Sequence, residues 1–461
     1  MSNILIKDGL LVESDRSWHA DLLIEGEKIS RIAPSIKERE LPGDTEVIHA
    51  EGLCVLPGLI DAHTHYHLES RNTVTADGFA EGSKLATFGG VTTVIDFADH
   101  DKHKPLGQSA KLRIDAMGAK MAIDYAIHQG VYQVGDNLIS ELTQLKAIGV
   151  SAIKIFTTYK NVGYYIESGS LRQLFQACKK LEILVTAHCE DDDLLNAIAR
   201  SYTGGYEAAN HADLRPAEAE YKAIMTLGQL AKEVGIPLYI VHVSSSRGME
   251  AIRQLRSENV AVYAETTCHY LLLDKTKLKG DKGPLFVMTP PLRSREDNLV
   301  LQDAMVAREL QVVASDHCSF TKEQKLAALD CRSILPGIPG TEEMLPLIHT
   351  FAVASGRMSV SQMVRLLSTG PARLFGLYPR KGSLKIGSDA DIVLFDPEAL
   401  WTLDGHNIHS AARYTAYEGF RVVGKAVMTY LRGRLVMGDD VYIGRPGDGH
   451  FIPMGISTAY M

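Results

Sequence analysis

The sequence predicts an α/β protein in which a (β/α)8 barrel of the TIM type is joined to a small β-sandwich domain. Two observations predict the barrel: eight short apolar, β-branched segments follow one another between residues 54 and 315, and amphipathic stretches with helical periodicity separate most of them. A third predicts the smaller domain, because β-like runs broken by turn residues precede residue 55 and return after residue 375.

The apolar segments are the predicted barrel strands, and the longer stretches between them include predicted helices over residues 171–180, 217–234 and 248–258. Strands that are apolar on both faces indicate a parallel sheet covered by helices, and eight in succession match a (β/α)8 barrel. A doubly wound open sheet is the alternative, which the lack of a Gly-x-Gly-x-x-Gly turn after the first segment disfavours. The predicted strands are residues 54–60, 91–97, 122–128, 152–157, 183–187, 237–243, 260–265 and 310–315.

The two chain ends resemble each other more than they resemble the middle of the chain. Short β-like runs occupy residues 4–6, 20–24 and 28–32, and again residues 382–384, 391–395 and 427–431. We therefore expect residues 1–55 and 376–461 to pair into one small β-sandwich domain, and residues 56–375 to form the catalytic barrel. The tail from Gly444 onward is expected either to form an arm on a neighbouring subunit or to be disordered.

Composition and charge narrow the classes of partner. The chain has 461 residues, 45% of them hydrophobic, and a formal net charge of -8, which disfavours nucleic acid and anionic membrane as partners. No window approaches the roughly 18 apolar residues that span a bilayer. The six cysteines are scattered and form no C-x-x-C pair, a pattern typical of reduced thiols, so we expect a cytoplasmic protein without membrane attachment.

Polar side chains stand at the ends of five predicted strands, where a (β/α)8 barrel gathers its catalytic groups. Each has an ordinary explanation when taken alone: a core histidine bonded to backbone, a helix cap for the aspartate, or a lysine that reaches the rim. Together they predict a metal centre, because neutral imidazoles and carboxylates are metal ligands. The candidate ligands are His63, His65, Lys154, His188, His242 and Asp316.

Lys154 needs a separate explanation, because an ammonium group cannot bind a cation. Desolvation favours the neutral amine of a lysine. A neutral amine reacts with carbon dioxide to form a carbamate, whose carboxylate-like head is long enough to bridge two metal ions. A carbamate on Lys154 is therefore the hypothesis that gives a buried lysine a role among metal ligands.

Several motifs resemble those of the amidohydrolase superfamily. The residues that resemble its signature are 57–65 (PGLIDAHTH), the strand-end histidines His188 and His242, and 387–393 (GSDADIV). More narrowly, the chain resembles the hydantoinase and dihydropyrimidinase branch, the cyclic amidohydrolases, over nearly its whole length. The motifs that carry this second resemblance are residues 154–159 (KIFTTY), 264–271 (AETTCHYL), 289–293 (TPPLR) and 315–319 (SDHCS).

The resemblance implies a hydrolase with two divalent metal ions per subunit, usually Zn²⁺. His63, His65 and Asp316 would bind one ion and His188 and His242 the other, with carbamylated Lys154 between them. The implied reaction opens a hydantoin or dihydropyrimidine ring to an N-carbamoyl amino acid, with a bridging hydroxide as the nucleophile. The family resemblance also implies a homotetramer.

Three further residues have implied roles in catalysis or substrate binding, besides Asp316 as the group that moves the proton. The Tyr159 hydroxyl would polarise the substrate carbonyl, although plain aromatic packing is the alternative for this residue. Backbone groups at Thr289 and Pro336 would hold the ring amide. Pro336 departs from the Asn-Gly that hydantoinases commonly have, and it keeps a carbonyl acceptor but lacks an N–H donor.

Substrate identity stays open at this stage. Gly163 stands where several hydantoinases have a bulky aromatic residue, so the pocket for the ring substituent is expected to be larger. The sequence of residues 336–342 (PGIPGTE) is more similar to that of allantoinases. A dihydroorotase-like enzyme would need cationic groups such as Arg71 and Arg293 for its anionic substrate. A non-catalytic dihydropyrimidinase-like scaffold is the alternative outside the enzymes, and the intact ligand set argues against it.

Overall fold

The strands of the protein form three sheets in a computed structural model that describes residues 3–460. Eight parallel strands make the barrel, nine strands from both chain ends make a mixed sheet, and two form a short hairpin. In chain order they are β1 (Ile4–Val12), β2 (Ser17–Glu25), β3 (Lys28–Ala33), β4 (Glu46–His49), β5 (Cys54–Pro57), β6 (Leu59–Thr64), β7 (Glu69–Ser70), β8 (Thr73–Val74), β9 (Val91–Ala98), β10 (Asp124–Gly130), β11 (Ala152–Phe156), β12 (Leu184–His188), β13 (Leu238–Ile240), β14 (Val262–Thr267), β15 (Val312–Ala314), β16 (Ile392–Thr402), β17 (Arg421–Leu431), β18 (Arg434–Gly438) and β19 (Val441–Tyr442).

The predicted (β/α)8 barrel is confirmed. Strands β6 and β9 to β15 pair in parallel and in chain order, each with the next. The barrel closes between its first and last strands, where Thr64 bridges to His317 and the His65 amide donates to the His317 carbonyl at 2.8 Å. This closure brings the ends of the first and eighth strands, which carry three of the predicted ligands, into contact.

Helices follow the barrel strands and cover them. Those of the described chain are α1 (Phe79–Phe88), α2 (Leu106–Gly118), α3 (Leu138–Ile148), α4 (Ser168–Leu181), α5 (Asp192–Ser201), α6 (His211–Leu214), α7 (Ala217–Val234), α8 (Ser246–Ser257), α9 (Cys268–Leu272), α10 (Arg295–Val306), α11 (Lys322–Leu326), α12 (Met344–Ile348), α13 (Val360–Val364) and α14 (Gly370–Leu374), with π-helical turns at His349–Ala354 and Arg365–Thr369. Among helices of residues 3–460, none combines the length and apolarity needed to cross a bilayer.

Local sequence sets where the helices begin and end. α7 follows Pro216 and stops at Gly235, whose φ of 71° is a left-handed conformation that glycine adopts without strain. α8 begins at Ser245, whose side chain accepts from the Gly248 amide and so satisfies one of the free N–H groups of the first turn.

The first predicted strand differs from the structure, because residues 54–60 are divided between two sheets. β5 pairs with β1 and β16 in the terminal sheet, and β6 begins the barrel. The change occurs at Gly58, where a Cβ would overlap the Thr92 side chain and where the amide donates to the Asp391 carbonyl at 2.8 Å. A single apolar run thus contributes side chains to the cores of both the terminal sheet and the barrel, and its periodicity alone does not show where one strand ends and the next begins.

The two chain ends share one nine-stranded mixed sheet, as expected from the short β-like runs that both contain. β16 pairs antiparallel with β5, so the C-terminal segment is hydrogen-bonded directly to the N-terminal one. Buried side chains from both ends, including Ile6, Leu22, Val55 and Leu394, form its apolar core. The complete terminal sheet therefore needs strands from both chain ends.

A buried charged cluster joins the barrel to the terminal sheet. The Lys381 ammonium lies 2.5 Å from Asp124, 2.6 Å from Asp391 and 3.0 Å from Asp389, and Arg432 contacts Asp124 as well. These three carboxylates lie close enough together to suggest a cation site, but the Lys381 ammonium already compensates them. Buried charges paired in this way are costly to separate.

The C-terminal tail, as far as Tyr460, packs on its own barrel, and an arm on a neighbouring subunit stays a prediction. The Gly449 amide donates to the Met121 carbonyl at 3.0 Å, and Met454 donates to Gly149 at 2.8 Å. At its end the Tyr460 hydroxyl donates to the Ile183 carbonyl at 2.7 Å. The tail thus runs across the bottom of the barrel, opposite the predicted metal centre.

Candidate metal centre

The structure brings all six candidate ligands to one end of the barrel. His63 lies within β6, Lys154 within β11 and His188 at the end of β12. His65 directly follows β6, and His242 and Asp316 lie two residues after β13 and β15. The centre has two halves, each built around a pair of histidines.

The first half consists of His63, His65 and Asp316. The Nε2 atoms of both histidines lie 3.2 Å from the same Asp316 carboxylate oxygen, Oδ1. Burial opposes the charge of Asp316, but the two imidazoles outweigh it and hold the pKa of this carboxyl below its ordinary range. Asp316 is therefore a carboxylate at neutral pH.

The second half consists of His188 and His242. Their rings lie edge to face, with His188 Nδ1 only 3.0 Å from His242 Nε2. The His242 Nδ1 atom is buried and has no hydrogen-bond partner within the described residues. The two halves adjoin, because the ring centroids of His63 and His242 are 5.4 Å apart.

Lys154 lies between the two halves. Its Nζ atom is 4.9 Å from the centre of the Phe97 ring, which packs against His63 and His65, and 5.3 Å from the Phe156 ring, which packs against His188. Burial lowers the pKa of Lys154 to about 8, although Glu265 and Asp316 oppose this shift. A larger fraction of this side chain is therefore the neutral amine near pH 7 than for an ordinary lysine.

Two buried glutamates back the histidine pairs, and the sequence interpretation assigned a role to neither. Glu265 Oε1 lies 2.5 Å from His63 Nδ1, and Glu190 Oε2 lies 2.7 Å from His188 Nε2. Carboxylates in this position fix the tautomer and orientation of a metal-binding imidazole. Glu265 ends a predicted barrel strand and Glu190 follows His188 by two residues, which are signals that could have identified both.

The donor set suits divalent cations. Burial lowers the pKa of His63 and His242 well below the ordinary value and that of His188 as well, so these imidazoles are neutral and have lone pairs available. Together with the Asp316 carboxylate they are nitrogen and oxygen ligands of the kind that zinc and similar ions prefer. His242 and Asp316 also adopt left-handed backbone conformations, with φ of 38° and 50°. Such strain in non-glycine residues is concentrated at functional sites.

Tyr159 lies at the rim of the centre beside Arg215. Its ring centroid is 5.7 Å from that of His188, and its hydroxyl oxygen is 3.5 Å from Arg215 Nη2. Arg215 is held in turn by Glu190, and Thr289 lies beside the Tyr159 hydroxyl. Burial raises the pKa of Tyr159, so its hydroxyl keeps a proton to donate.

The two departures noted in the sequence have visible consequences. Pro336 follows Leu335 in a segment that lies next to Asp316, and its carbonyl lies 3.8 Å from the Cys318 sulfur. A Cβ at Gly163 would lie 2.7 Å from the Lys102 ammonium, which also bonds to the Gly163 carbonyl. The larger pocket expected from Gly163 is therefore partly filled by a cation from another loop.

Comparison with known proteins identifies the family. Residues 54–436 match the model of the amidohydrolase family, which is most of the chain. The chain belongs to the amidohydrolase family. The amidohydrolase signature found in the sequence thus coincides with the strands that carry the candidate ligands.

Similar proteins cover nearly the whole chain. A D-hydantoinase of Ralstonia pickettii is 36% identical over 98% of this chain and 98% of its own length. The crystal structure of a dihydropyrimidinase from Brevibacillus agri is 34% identical, with a TM-score of 0.95 over 99% of both chains. An L-hydantoinase from Arthrobacter aurescens is 27% identical, with a TM-score of 0.87 over 98% of this chain and 100% of its own.

Proposed function

We propose that this chain hydrolyses a cyclic amide, opening a hydantoin or dihydropyrimidine ring to the N-carbamoyl amino acid. One observation carries the proposal. This member of the amidohydrolase family has two pairs of histidines at one end of its barrel, each pair bonded to a buried glutamate, and Lys154 lies between the two pairs. Relatives of similar length named D-hydantoinase and dihydropyrimidinase support this class of substrate.

Two divalent ions, which we propose to be Zn²⁺, would be held by the six candidate ligands. His63, His65 and Asp316 would hold one ion, and His188 and His242 the other. When bound, the two ions would polarise the substrate carbonyl and lower the pKa of a water molecule. The nitrogen-rich donor set and the neutral state of its imidazoles support zinc.

Lys154 would hold both ions as a carbamate. The neutral amine attacks the carbon of CO₂, a new N–C bond forms, and one proton leaves the nitrogen, so that an ammonium-forming group becomes an anion. The pKa of about 8 for Lys154 supports this step, because it makes the neutral amine available near neutral pH. The carbamate would also remove the repulsion between a lysine cation and the metal ions.

Asp316 and Tyr159 would perform the proton transfer and the carbonyl activation. The Asp316 carboxylate accepts a proton from the attacking water and donates it to the ring nitrogen as the amide bond breaks. The Tyr159 hydroxyl, held by Arg215, donates to the carbonyl oxygen as negative charge develops on it. Backbone groups at Thr289 and Pro336 would hold the ring amide against these residues.

An anionic substrate such as dihydroorotate is less well supported. Arg71 Nη1 donates to the carbonyls of Arg332 and Ile334 at 3.1 and 3.2 Å, so its guanidinium is already engaged by the protein. Arg293 is buried, and its Nε donates to Ser244 Oγ at 3.1 Å. Both arginines considered for this substrate thus already donate hydrogen bonds to protein oxygen atoms.

The assembly and cellular location are also proposals. We expect a homotetramer and a cytoplasmic protein with a small-molecule substrate. The six cysteines support a reducing compartment, because all are buried free thiols.

A substrate panel on zinc-loaded protein tests the proposed function. Hydantoin, 5,6-dihydrouracil, allantoin and dihydroorotate would be assayed for ring opening, with chelator-treated protein as the control. We expect turnover of hydantoin or dihydrouracil that chelation removes. Turnover of allantoin or dihydroorotate alone would contradict the substrate class, and metal-loaded protein that opens none of the four rings would favour a non-catalytic scaffold.

A further inference from the structure

Lys325 is a buried lysine outside the metal centre, and burial lowers its pKa to about 7. It lies on α11 and its side chain is 0% exposed. Its ammonium donates to three backbone carbonyls, those of Val287 at 2.6 Å, Leu335 at 2.7 Å and Gly337 at 2.8 Å. In the described part of the chain it forms no salt bridge, so these carbonyls are its whole compensation.

The chemistry of the contact matches an ammonium group. A protonated lysine has three N–H donors and no acceptor, and each donor here meets one carbonyl oxygen. Removal of the side chain would leave three buried carbonyls with unmet hydrogen-bonding capacity, which the surrounding backbone would move to satisfy. Lys325 therefore fixes the relative position of the segments that carry these carbonyls.

The segments that Lys325 joins are those proposed to hold the substrate ring. Val287 precedes Thr289 by two residues, and Leu335 and Gly337 flank Pro336. The Gly337 amide also donates to the Val287 carbonyl at 3.0 Å, so the two segments touch at this point. Lys325 thus reinforces a contact between the Thr289 and Pro336 segments.

The same segment lies next to the proton-transfer residue. The Cys318 amide donates to the Ile338 carbonyl at 3.0 Å, and His317 bridges to Ile338. Cys318 follows Asp316 by two residues. A shift of residues 335–338 would therefore move one wall of the site relative to Asp316.

The helix that carries Lys325 is itself fixed. Thr321 caps α11, with its hydroxyl accepting from the Gln324 amide while Gln324 Oε1 accepts from the Thr321 amide. Gln324 Nε2 also donates to Thr73 Oγ1 at 2.7 Å, which ties the helix to the β7–β8 hairpin. Lys325 is therefore presented to the three carbonyls from an anchored element.

We propose that Lys325 is a positioning residue for the substrate, which holds the two ring-binding backbone segments at their working separation. The inference rests on the proposed function, because it takes those segments to bind the ring amide. It does not place Lys325 in contact with substrate or metal.

The test compares zinc-loaded K325M with wild type on whichever cyclic amide the wild type hydrolyses. Binding through misplaced segments is weakened while the reacting groups stay in place, so we expect KM to rise about tenfold with kcat within about threefold of wild type. Metal content per chain should be unchanged. K322M is the matched control, since Lys322 lies on the same helix but is exposed, and its KM should match wild type.

If K325M does not fold, K325R tests the positioning role of Lys325 instead. Arginine keeps the charge, but its planar fork cannot place three donors on the same three carbonyls. An increase in KM with retained metal would support the proposal, whereas a wild-type KM in either folded Lys325 variant, or an equal increase in K322M, would overturn it. An inactive wild type would instead contradict the proposed function, which separates the two failures.

Discussion

Asp316 shares one carboxylate oxygen between His63 and His65, and it is the residue on which both metal binding and proton transfer depend in the proposed reaction. Its low pKa suits a group that must be ionised before it can accept a proton. Replacing the carboxylate with an amide of the same shape separates the two roles, because the amide oxygen remains while the proton acceptor is lost.

We expect Asp316→Asn to lower kcat by about 10³-fold or more, since general acid–base catalysis contributes roughly 10²–10⁴-fold and one group here serves both halves of the transfer. Metal content, measured by plasma emission spectrometry, should stay near that of wild type. Substantial residual turnover at normal metal content would remove Asp316 from the proton-transfer role.

Lys154 offers a direct spectroscopic prediction. Protein incubated with ¹³C-bicarbonate should show a carbamate carbon signal in its ¹³C NMR spectrum, because the amine with a pKa of about 8 is partly neutral at pH 7. Lys154→Met is the control and should lack the signal and bind less metal. The same spectrum in wild type and the variant would show that Lys154 does not carry the carbamate.

The candidate ligands could be predicted from the sequence because each stands at the end of an apolar strand, where position along the chain determines position in the barrel. Arg215 could not, because its role depends on contacts with Glu190 and Tyr159 from other loops. The same is true of Lys102, which fills space beside Gly163 from a different loop. Sequence spacing carries little information about such contacts.

At the scale of elements, the number and order of barrel strands follow from the sequence, and the helix over residues 217–234 matches α7 (Ala217–Val234). The division of residues 54–60 at Gly58 is not predicted from the sequence. Both sheets bury apolar side chains, so the periodicity of this run does not distinguish the terminal sheet from the barrel. The boundary between β5 and β6 lies at Gly58, where the backbone approaches a neighbouring strand too closely for a Cβ atom. Gly337 is a second glycine at which a Cβ atom would overlap a neighbouring segment.

Gly337→Ala should destabilise the fold by about 2 kcal/mol or more, since strained backbone conformations of a non-glycine residue cost of order 1–3 kcal/mol each. Gly337 has a φ of 138°, and a Cβ there would overlap the Cys318 carbonyl. Urea unfolding measures the effect.

Gly169→Ala on α4 is the control for this substitution. Its Cβ would meet nothing within 4 Å, so helix propensity predicts a neutral or slightly stabilising change. Equal stability of Gly337→Ala and wild type would contradict the strained geometry.

At the scale of the whole molecule, the charged cluster around Lys381 joins the barrel to the terminal sheet. Asp389 bonds to Lys28 and Arg380 as well as Lys381. Burial opposes its charge, but Lys381 and the other two cations lower the pKa of Asp389 to about 2. A carboxyl with a lowered pKa in the folded state stabilises the fold above its unfolded pKa, which is about 3.9 for aspartate, and this stabilisation is lost as the pH falls through the folded value.

Thermal melts between pH 5 and pH 2 test this linkage. Wild type should be more stable than Asp389→Asn at pH 5, and the difference should shrink progressively as the pH falls toward about 2, since protonation removes the same charge that the substitution removes. A difference that does not change with pH would show that the charge of Asp389 contributes nothing to the junction.

Activity measured against metal content tests the proposed hydrolytic centre of two metal ions most directly. Metal-free protein would be titrated with Zn²⁺ while hydantoin and dihydrouracil hydrolysis and bound zinc per chain are followed together. We predict no turnover without metal and a rise that saturates near two bound ions per chain. Full turnover in metal-free protein, or saturation at one ion per chain with no second ion bound, would contradict it.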